Sequence, residues 1–323
     1  MAGKKRKILI IDDVHPVLSD KLSEAGYDCD YMPDNTKTET ENVIGNYFGL
    51  VVRSRFAIDK SIIDKAGELK FIGRLGSGLE NIDTGFAYKK GIKCINSPEG
   101  NKDAVGEHAL GILLALSNNL CRADREVRQG IWKRKENRGN EIQGRTVGII
   151  GYGNTGSAFA KKLQGFEVDM IAYDKYKNGY GNDLVRECSM KEIFQKTDIL
   201  SLHIPLTEET LFLVNDKYLK NFSRNIILIN TSRGKIVKTD DLVKNLASGR
   251  VSGAALDVLE YESSSFEDLH KSDKLPEAYK YLASSDKVVL TPHIAGLTYE
   301  SNKKLAEVLA DKIIREYSRC NPK

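Results

Sequence analysis

An arginine, a carboxylate and a histidine follow separate apolar runs in the C-terminal half of this chain. All three are residue types that handle charge or protons. Arg233 lies in Thr231-Ser232-Arg233-Gly234, directly after the run Ile226–Asn230. Asp257 follows Ala254–Leu256, Glu262 comes five residues later, and His293 closes Thr291-Pro292-His293 after Lys287–Leu290. Upstream, Gly151-Tyr152-Gly153-Asn154-Thr155-Gly156 stands between apolar Thr146–Ile150 and the helical pattern Ser157–Gln164. In that G-x-G-x-x-G pattern the first glycine permits a tight turn, the second lets backbone approach a pyrophosphate, and the third lets helix pack on strand. The helix N-terminus then offers unpaired N–H groups and a positive dipole end to phosphates. A second strand, Val168–Tyr173, ends at Asp174, where a carboxylate accepts a ribose hydroxyl. The spacing predicts a bound dinucleotide. Asp174 would bond a free 2′-hydroxyl and repel a 2′-phosphate, so NAD is expected over NADP; Lys175 and Lys177 are the neighbours that could oppose this by pairing with phosphate.

Ligands of open α/β sheets bind beyond the carboxyl ends of the strands, so Arg233, Glu262 and His293 can converge beside a nicotinamide. Each also has a bland reading taken alone: a surface salt bridge, a solvated loop acid and a satisfied histidine before a helix. Together, each after a strand of one dinucleotide domain, they favour chemistry. The other histidines point elsewhere. His108 reads as a packing residue in a helix, His203 borders the cofactor at the end of the strand Asp198–Leu202, and His15 and His270 read as loop residues.

The elements that must hold these residues come from the hydrophobic pattern. Strand-like runs are Lys7–Ile11, Tyr27–Tyr31, Leu50–Arg53, Phe71–Arg74 and Lys93–Ile95, with helical patterns between them at Val17–Ala25, Thr38–Ile44 and Lys60–Ala66. Strict alternation implies right-handed βαβ crossovers and a parallel sheet covered on both faces. One long helical pattern from Lys102 to Gly130 reads as a connector packed in an interface between domains or subunits. A second array starts at Arg145, with later strands Asp198–Leu202, Asn225–Asn230, Val251–Asp257 and Lys287–Leu290, and an amphipathic helix Tyr299–Tyr317 follows. The polar segment Ser263–Asp286 reads as a surface insertion. The fold class is α/β, with two doubly wound parallel-sheet domains.

Composition narrows the function classes. At 323 residues the chain suggests about two domains, and 41% hydrophobic with 29% charged residues is ordinary for a globular protein. A net charge of +4 is small for this length and does not suggest a nucleic-acid partner. The five cysteines, Cys29, Cys94, Cys121, Cys188 and Cys320, are scattered without a C-x-x-C pair, which predicts free thiols and no metal site. The basic start Met1–Lys7 precedes only the short apolar run Ile8–Ile11, too short for a signal peptide, and no apolar stretch approaches the roughly 20 residues of a membrane span. A cytoplasmic, soluble protein with no membrane partner is expected.

Several segments in order resemble the D-isomer-specific 2-hydroxyacid dehydrogenases. In the second half these are Asn230-Thr231-Ser232-Arg233-Gly234, Gly253–Val258, Glu262 and Thr291-Pro292-His293-Ile294-Ala295-Gly296. In the first half they are Val52-Arg53-Ser54, Gly73–Asp83, Asn96-Ser97-Pro98 and Ala104–Leu110. The resemblance covers essentially the whole chain and is strongest to the D-3-phosphoglycerate dehydrogenases, in a short form without a C-terminal regulatory domain. It implies an NAD-binding Rossmann domain (101–296) inserted into a discontinuous, flavodoxin-like substrate domain (1–100 plus 297–323), with cleft closure excluding water from the transferred hydride.

The same resemblance implies roles. Arg233 would hold the substrate carboxylate, His293 would move the proton, and Glu262 would orient the imidazole. No metal is required, since hydride passes directly to or from the nicotinamide. Cofactor contacts would come from Ser77, Asn101, the glycine motif with Asn154 and Thr155, Asp174, His203-Ile204-Pro205, Thr231, Ser232, Asp257, Ala295 and Gly296. Substrate contacts would come from Arg53, Ser54, Arg74, Ser77 and Gly78, and from Arg134 on an arm around Trp132 that packs on the partner of a homodimer. The implied reaction is oxidation of 3-phosphoglycerate to 3-phosphohydroxypyruvate on the way to serine. Rival readings are a glyoxylate or hydroxypyruvate reductase and, from another class, a non-catalytic NAD-sensing corepressor-like protein. Ser77, Glu80 and a long segment between Glu262 and His293 depart from the family pattern and are expected to alter substrate fit.

Overall fold

The computed structural model describes residues 6–262 and 275–317. His270, Cys320 and the start of the expected 263–286 insertion lie outside the described residues. The described chain divides into two compact units: residues up to Asn101 with those from Leu297 onward, and Lys102–Glu262 with the residues through Gly296.

The first unit alternates β1 (Lys7–Ile10), α1 (Val17–Glu24), β2 (Asp28–Tyr31), α2 (Lys37–Val43), β3 (Gly49–Val52), α3 (Lys60–Lys65), β4 (Phe71–Arg74), α4 (Thr84–Lys89) and β5 (Lys93–Asn96). The strands pair in parallel in the order β2-β1-β3-β4-β5. That is the flavodoxin-like order, which places ligands beyond the carboxyl ends of the strands. β3, Gly-Leu-Val-Val, is buried along its whole length because helices cover both faces of the sheet. Helix starts follow local chemistry. Thr36 and Glu39 form a reciprocal capping box on α2, and the Asp83 side chain caps α4.

The second unit carries α5 (Lys102–Ser117), α6 (Leu120–Arg128), β6 (Thr146–Ile150), α7 (Asn154–Lys162), β7 (Asp169–Tyr173), β8 (Arg186–Glu187), α8 (Met190–Lys196) and β9 (Ile199–Leu202). It continues with α9 (Asp216–Leu219), β10 (Ile226–Asn230), α10 (Thr239–Ala247), β11 (Val251–Leu256), α11 (Glu277–Ser284) and β12 (Val288–Leu290). Its strands are parallel in the order β12-β11-β10-β9-β6-β7-β8, which reverses direction between β6 and β9. One face buries Leu113, Phe159 and Met170 under α5 and α7; the other buries Ile193, Leu219, Leu242 and Leu282 under α8 to α11.

The last helix, α12 (Tyr299–Tyr317), belongs to the first unit. It buries Leu305, Leu309 and Ile313 in the cluster of Ile8, Ile10, Leu18, Leu22 and Phe71.

Two sequence expectations need correction. The long helix expected from Lys102 to Gly130 is two helices, broken at Asn118 and Asn119. Asn119 is left-handed with φ of 54°, and its side chain donates to the Arg138 carbonyl at 3.1 Å. Asparagine tolerates that conformation better than most residues, so an Asn-Asn pair is a natural break. The expected 263–286 surface insertion is, in its described part, the helix α11, which buries Ala278 and Leu282.

Candidate active site

Strand register assembles the site. Leu290, Leu256, Asn230, Leu202, Ile150 and Tyr173 form one row across six neighbouring strands of the second unit. The next residue along each strand is Thr291, Asp257, Thr231, His203, Gly151 and Asp174. Residues scattered over more than a hundred positions therefore leave the sheet at one edge. The reversal between β6 and β9 puts Gly151 and His203 at the switch point, where doubly wound sheets open a ligand crevice.

The glycine turn is built by close approach. Gly151 has φ of +88°, and a Cβ added at Gly156 would lie 2.1 Å from the Gly151 carbonyl oxygen. Space beside Gly153 is open, and α7 begins there with no side-chain cap on its first N–H groups. An uncapped helix start with backbone open to approach fits the pyrophosphate of a dinucleotide. Asp174 accepts the N–H groups of Tyr152 (2.9 Å), Tyr176 (3.0 Å) and Lys177 (3.1 Å), which fixes its carboxylate beside the turn. Lys175 is committed to Glu209 at 2.7 Å, and Lys177 Nζ donates to the Tyr152 carbonyl at 3.4 Å.

His203 supports the turn from below. Its Nδ1 meets Thr155 Oγ1 at 3.2 Å, its Nε2 meets Ser201 Oγ at 2.9 Å, and its ring lies against Phe159. Burial pushes its pKa down to about 3, so the imidazole is neutral at any ordinary pH. The would-be Cβ of Gly151 meets the His203 carbonyl and the Ile204 side chain, and the Pro205 carbonyl accepts from Thr210 at 2.7 Å.

The candidate acid–base pair lies beyond the neighbouring strand ends. His293 Nδ1 is 2.7 Å from Glu262 Oε2, and the other Glu262 oxygen accepts the N–H of Leu259. A Cβ at Gly234 would lie 1.9 Å from the Leu259 carbonyl, so the turn after Arg233 presses on the segment that anchors Glu262. The Asn230 side chain shapes that turn, accepting from Ser232 N and Oγ and donating to the Arg233 carbonyl at 3.0 Å. Arg233 Nη1 donates to the Ser232 carbonyl at 2.7 Å, and Thr231 and Ser232 are buried beside it. Asp257 accepts the backbone N–H of Ile294 (2.9 Å) and Ala295 (2.8 Å), so the turn running to Gly296 is fixed from β11. Burial by itself would raise the Asp257 pKa; hydrogen bonds from His108, Thr291, Ala295 and Ile294 outweigh it and hold the carboxyl below its usual range.

His108, read from sequence as a packing residue, is instead a polar member of this cluster, 2.9 Å from Thr291 Oγ1. Its signal was present in Ala104–Leu110, a polar side chain inside an apolar helix.

In the first unit, Arg53 and Ser54 follow β3, and Arg74 ends β4 in register with Val52. One Asp12 oxygen accepts the N–H groups of Arg53 (2.6 Å), Ser54 (3.2 Å) and Arg55 (3.3 Å), a support that the sequence did not advertise. Ser77, beside Gly78, joins Asn101 at 2.9 Å, and its carbonyl accepts from Asn96. Arg134 lies on the exposed segment after α6, in the second unit. Among the described residues no group of three or more His, Cys, Asp or Glu could hold a metal ion, and no helix is long and apolar enough to cross a membrane.

The sequence model of the D-isomer specific 2-hydroxyacid dehydrogenase NAD binding domain matches residues 110–295, more than half of the chain. The chain belongs to that family. It is accordingly an NAD-dependent oxidoreductase. The hydroxypyruvate reductase of Thermotoga maritima is 36% identical over 281 residues, 87% of this chain and 88% of that protein. The D-3-phosphoglycerate dehydrogenase of Archaeoglobus fulgidus is 31% identical over 95% of this chain, which spans 56% of that relative's length. Among solved structures, an acyclic imino acid reductase in complex with NADPH and D-Arg matches with a TM-score of 0.83 at 27% identity, covering 97% of each chain. Within the family, these relatives divide over substrate.

Proposed function

We propose that this protein oxidises 3-phosphoglycerate to 3-phosphohydroxypyruvate with NAD, with Arg233, Glu262 and His293 as its working residues. The observation that carries the chemistry is the 2.7 Å bond between His293 Nδ1 and Glu262. It fixes the imidazole tautomer and directs proton transfer to Nε2. His293 takes the C2 hydroxyl proton in oxidation and returns it in reduction. Arg233 supplies the planar fork of donors that matches a carboxylate, placing C2 and polarising its oxygen. Bound NAD would supply the hydride acceptor for C2, and NADH the hydride donor in the reverse direction.

The phosphorylated substrate is favoured by Arg53 and Arg74, two permanent cations at adjacent strand ends of the first unit, beyond the one guanidinium a carboxylate needs. Arg134 is a further phosphate contact in this reading. Reduction of hydroxypyruvate or glyoxylate is the second reading, favoured by the Thermotoga maritima relative that spans most of the chain. Steady-state rates with 3-phosphoglycerate, hydroxypyruvate and glyoxylate, each with NAD(H) and NADP(H), separate the two. NAD-linked oxidation of 3-phosphoglycerate is expected. Good turnover of glyoxylate or hydroxypyruvate with none of 3-phosphoglycerate would overturn it.

The active form in this proposal is a homodimer. In α6 and the segment after it, Leu120, Val127 and Trp132 expose large apolar surface, Trp132 at 75%, as expected of a face that a second copy covers. Sedimentation should give a dimer, and Trp132→Glu should weaken it.

A further inference from the structure

The turn that carries His293 is held by a polar chain that proton transfer itself does not use. Thr291 Oγ1 gives its one hydrogen to Asp257 Oδ1 at 2.5 Å, leaving only lone pairs for its 2.9 Å contact with His108 Nε2. His108 Nε2 is therefore the donor to Thr291, and it also lies 3.4 Å from the same Asp257 oxygen, so both side chains converge on Asp257. The Asp257 carboxylate also takes the N–H groups of Ile294 and Ala295, and its backbone carbonyl takes the N–H of His293 at 2.8 Å. One aspartate thus binds Thr291, His293, Ile294 and Ala295 together. His293 itself sits at φ of 57°, a left-handed conformation that a histidine keeps only with support around it. At the centre of the network Asp257 is shielded from water at 1% exposed, while His108 and Thr291 are half-buried, and a low dielectric around the carboxylate strengthens its bonds.

We propose that His108, on α5, is a positioning residue: by donating to Thr291 it fixes the Thr291 hydroxyl on Asp257, and so keeps the His293 turn in the conformation that sets the imidazole on Glu262. The proposal rests on His293 as the acid–base group and gives His108 no contact with the reactants. α5 is a firm base for this task. At Gly106 it lies so close to α7 that an added Cβ would meet the α7 backbone at 3.0 Å.

His108→Leu removes the donor, whereas His108→Gln restores an N–H near the place of Nε2. Two readouts are taken on wild type and both variants: kcat with KM for the reactive 2-oxo acid and for NADH, and amide hydrogen exchange over residues 291–296. Leucine should lower kcat about tenfold with the NADH KM unchanged, as expected when a reacting group is misplaced. It should also speed exchange of the Ile294 and Ala295 amides by roughly tenfold, the effect of losing about one hydrogen bond. Glutamine should restore both. Unchanged exchange in the leucine variant, or a glutamine variant that behaves like leucine, overturns the proposal. If His108→Leu does not fold, Thr291→Val breaks the same chain from the other side and is read in the same way. A wild-type protein with no turnover, or an active His293→Ala, sinks the acid–base reading instead, and the exchange data still decide the role of His108.

Discussion

The proton-transfer role proposed for His293 depends on one short bond, because Glu262 takes Nδ1 and leaves Nε2 as the nitrogen for substrate. His293→Ala should lower kcat by about 10²–10⁴, the usual worth of a positioned acid–base group, while NADH affinity measured by fluorescence stays within a factor of two. Turnover near wild type would remove His293 from the mechanism. Glu262→Gln keeps the shape and loses the charge, so its kcat should fall less than that of the alanine variant. The role proposed for Asp174 in cofactor choice belongs to the same scale. Its three backbone bonds orient a negative charge beside the glycine turn, and its lysine neighbours have other contacts. Asp174→Ser should shift the NADP-to-NAD ratio of kcat/KM toward NADP by at least about tenfold, since one hydrogen bond to a charged group is worth that much. An unchanged ratio would place cofactor choice elsewhere.

At the scale of elements, the glycine turn and its helix behave as one rigid piece. Gly156→Ala would drive a methyl against the Gly151 carbonyl, 2.1 Å from the new Cβ, so backbone must move. Calorimetry should show cofactor affinity weakened by at least about tenfold, with stability lowered by about 1–3 kcal/mol. The helix α12 offers a separate check, since Leu309 is fully buried. Leu309→Ala should cost about 2–5 kcal/mol in denaturant unfolding. These elements were legible from sequence where the hydrophobic pattern is clear: Thr146–Ile150, Phe71–Arg74 and Tyr299–Tyr317 have the bounds that the pattern predicts. They were not legible where a single conformation decides. Asn119 ends a helix whose hydrophobic period runs straight through it, and β8, of two residues, has no period to detect.

For the molecule as a whole, His203 couples the cofactor unit to pH. Its folded-state pKa is about 3, against about 6.5 for an exposed imidazole, so folding favours the neutral ring. The unfolded chain therefore binds a proton first as pH falls. The stability due to this group is complete above about pH 6.5 and is lost progressively toward pH 3, by up to about 1.4 kcal/mol per pH unit. His203→Gln should flatten the unfolding free energy over that range. A slope equal to wild type would show that another group carries the acid sensitivity.

The sequence by itself determined the fold class, the glycine turn and the residue types of the site, because hydrophobic period and turn chemistry are local properties. Arg233, Glu262 and His293 could be named as candidates, yet nothing local joins residues so far apart in the chain. Only the tertiary structure decided which of them meet. Strand register aligns Leu290, Leu256 and Asn230, so the residues that follow share one edge. It also decided the place of His108, whose helical period reads as packing until β12 brings Thr291 within 2.9 Å. Register arises from pairing and burial across the whole sheet, and no window of sequence contains it.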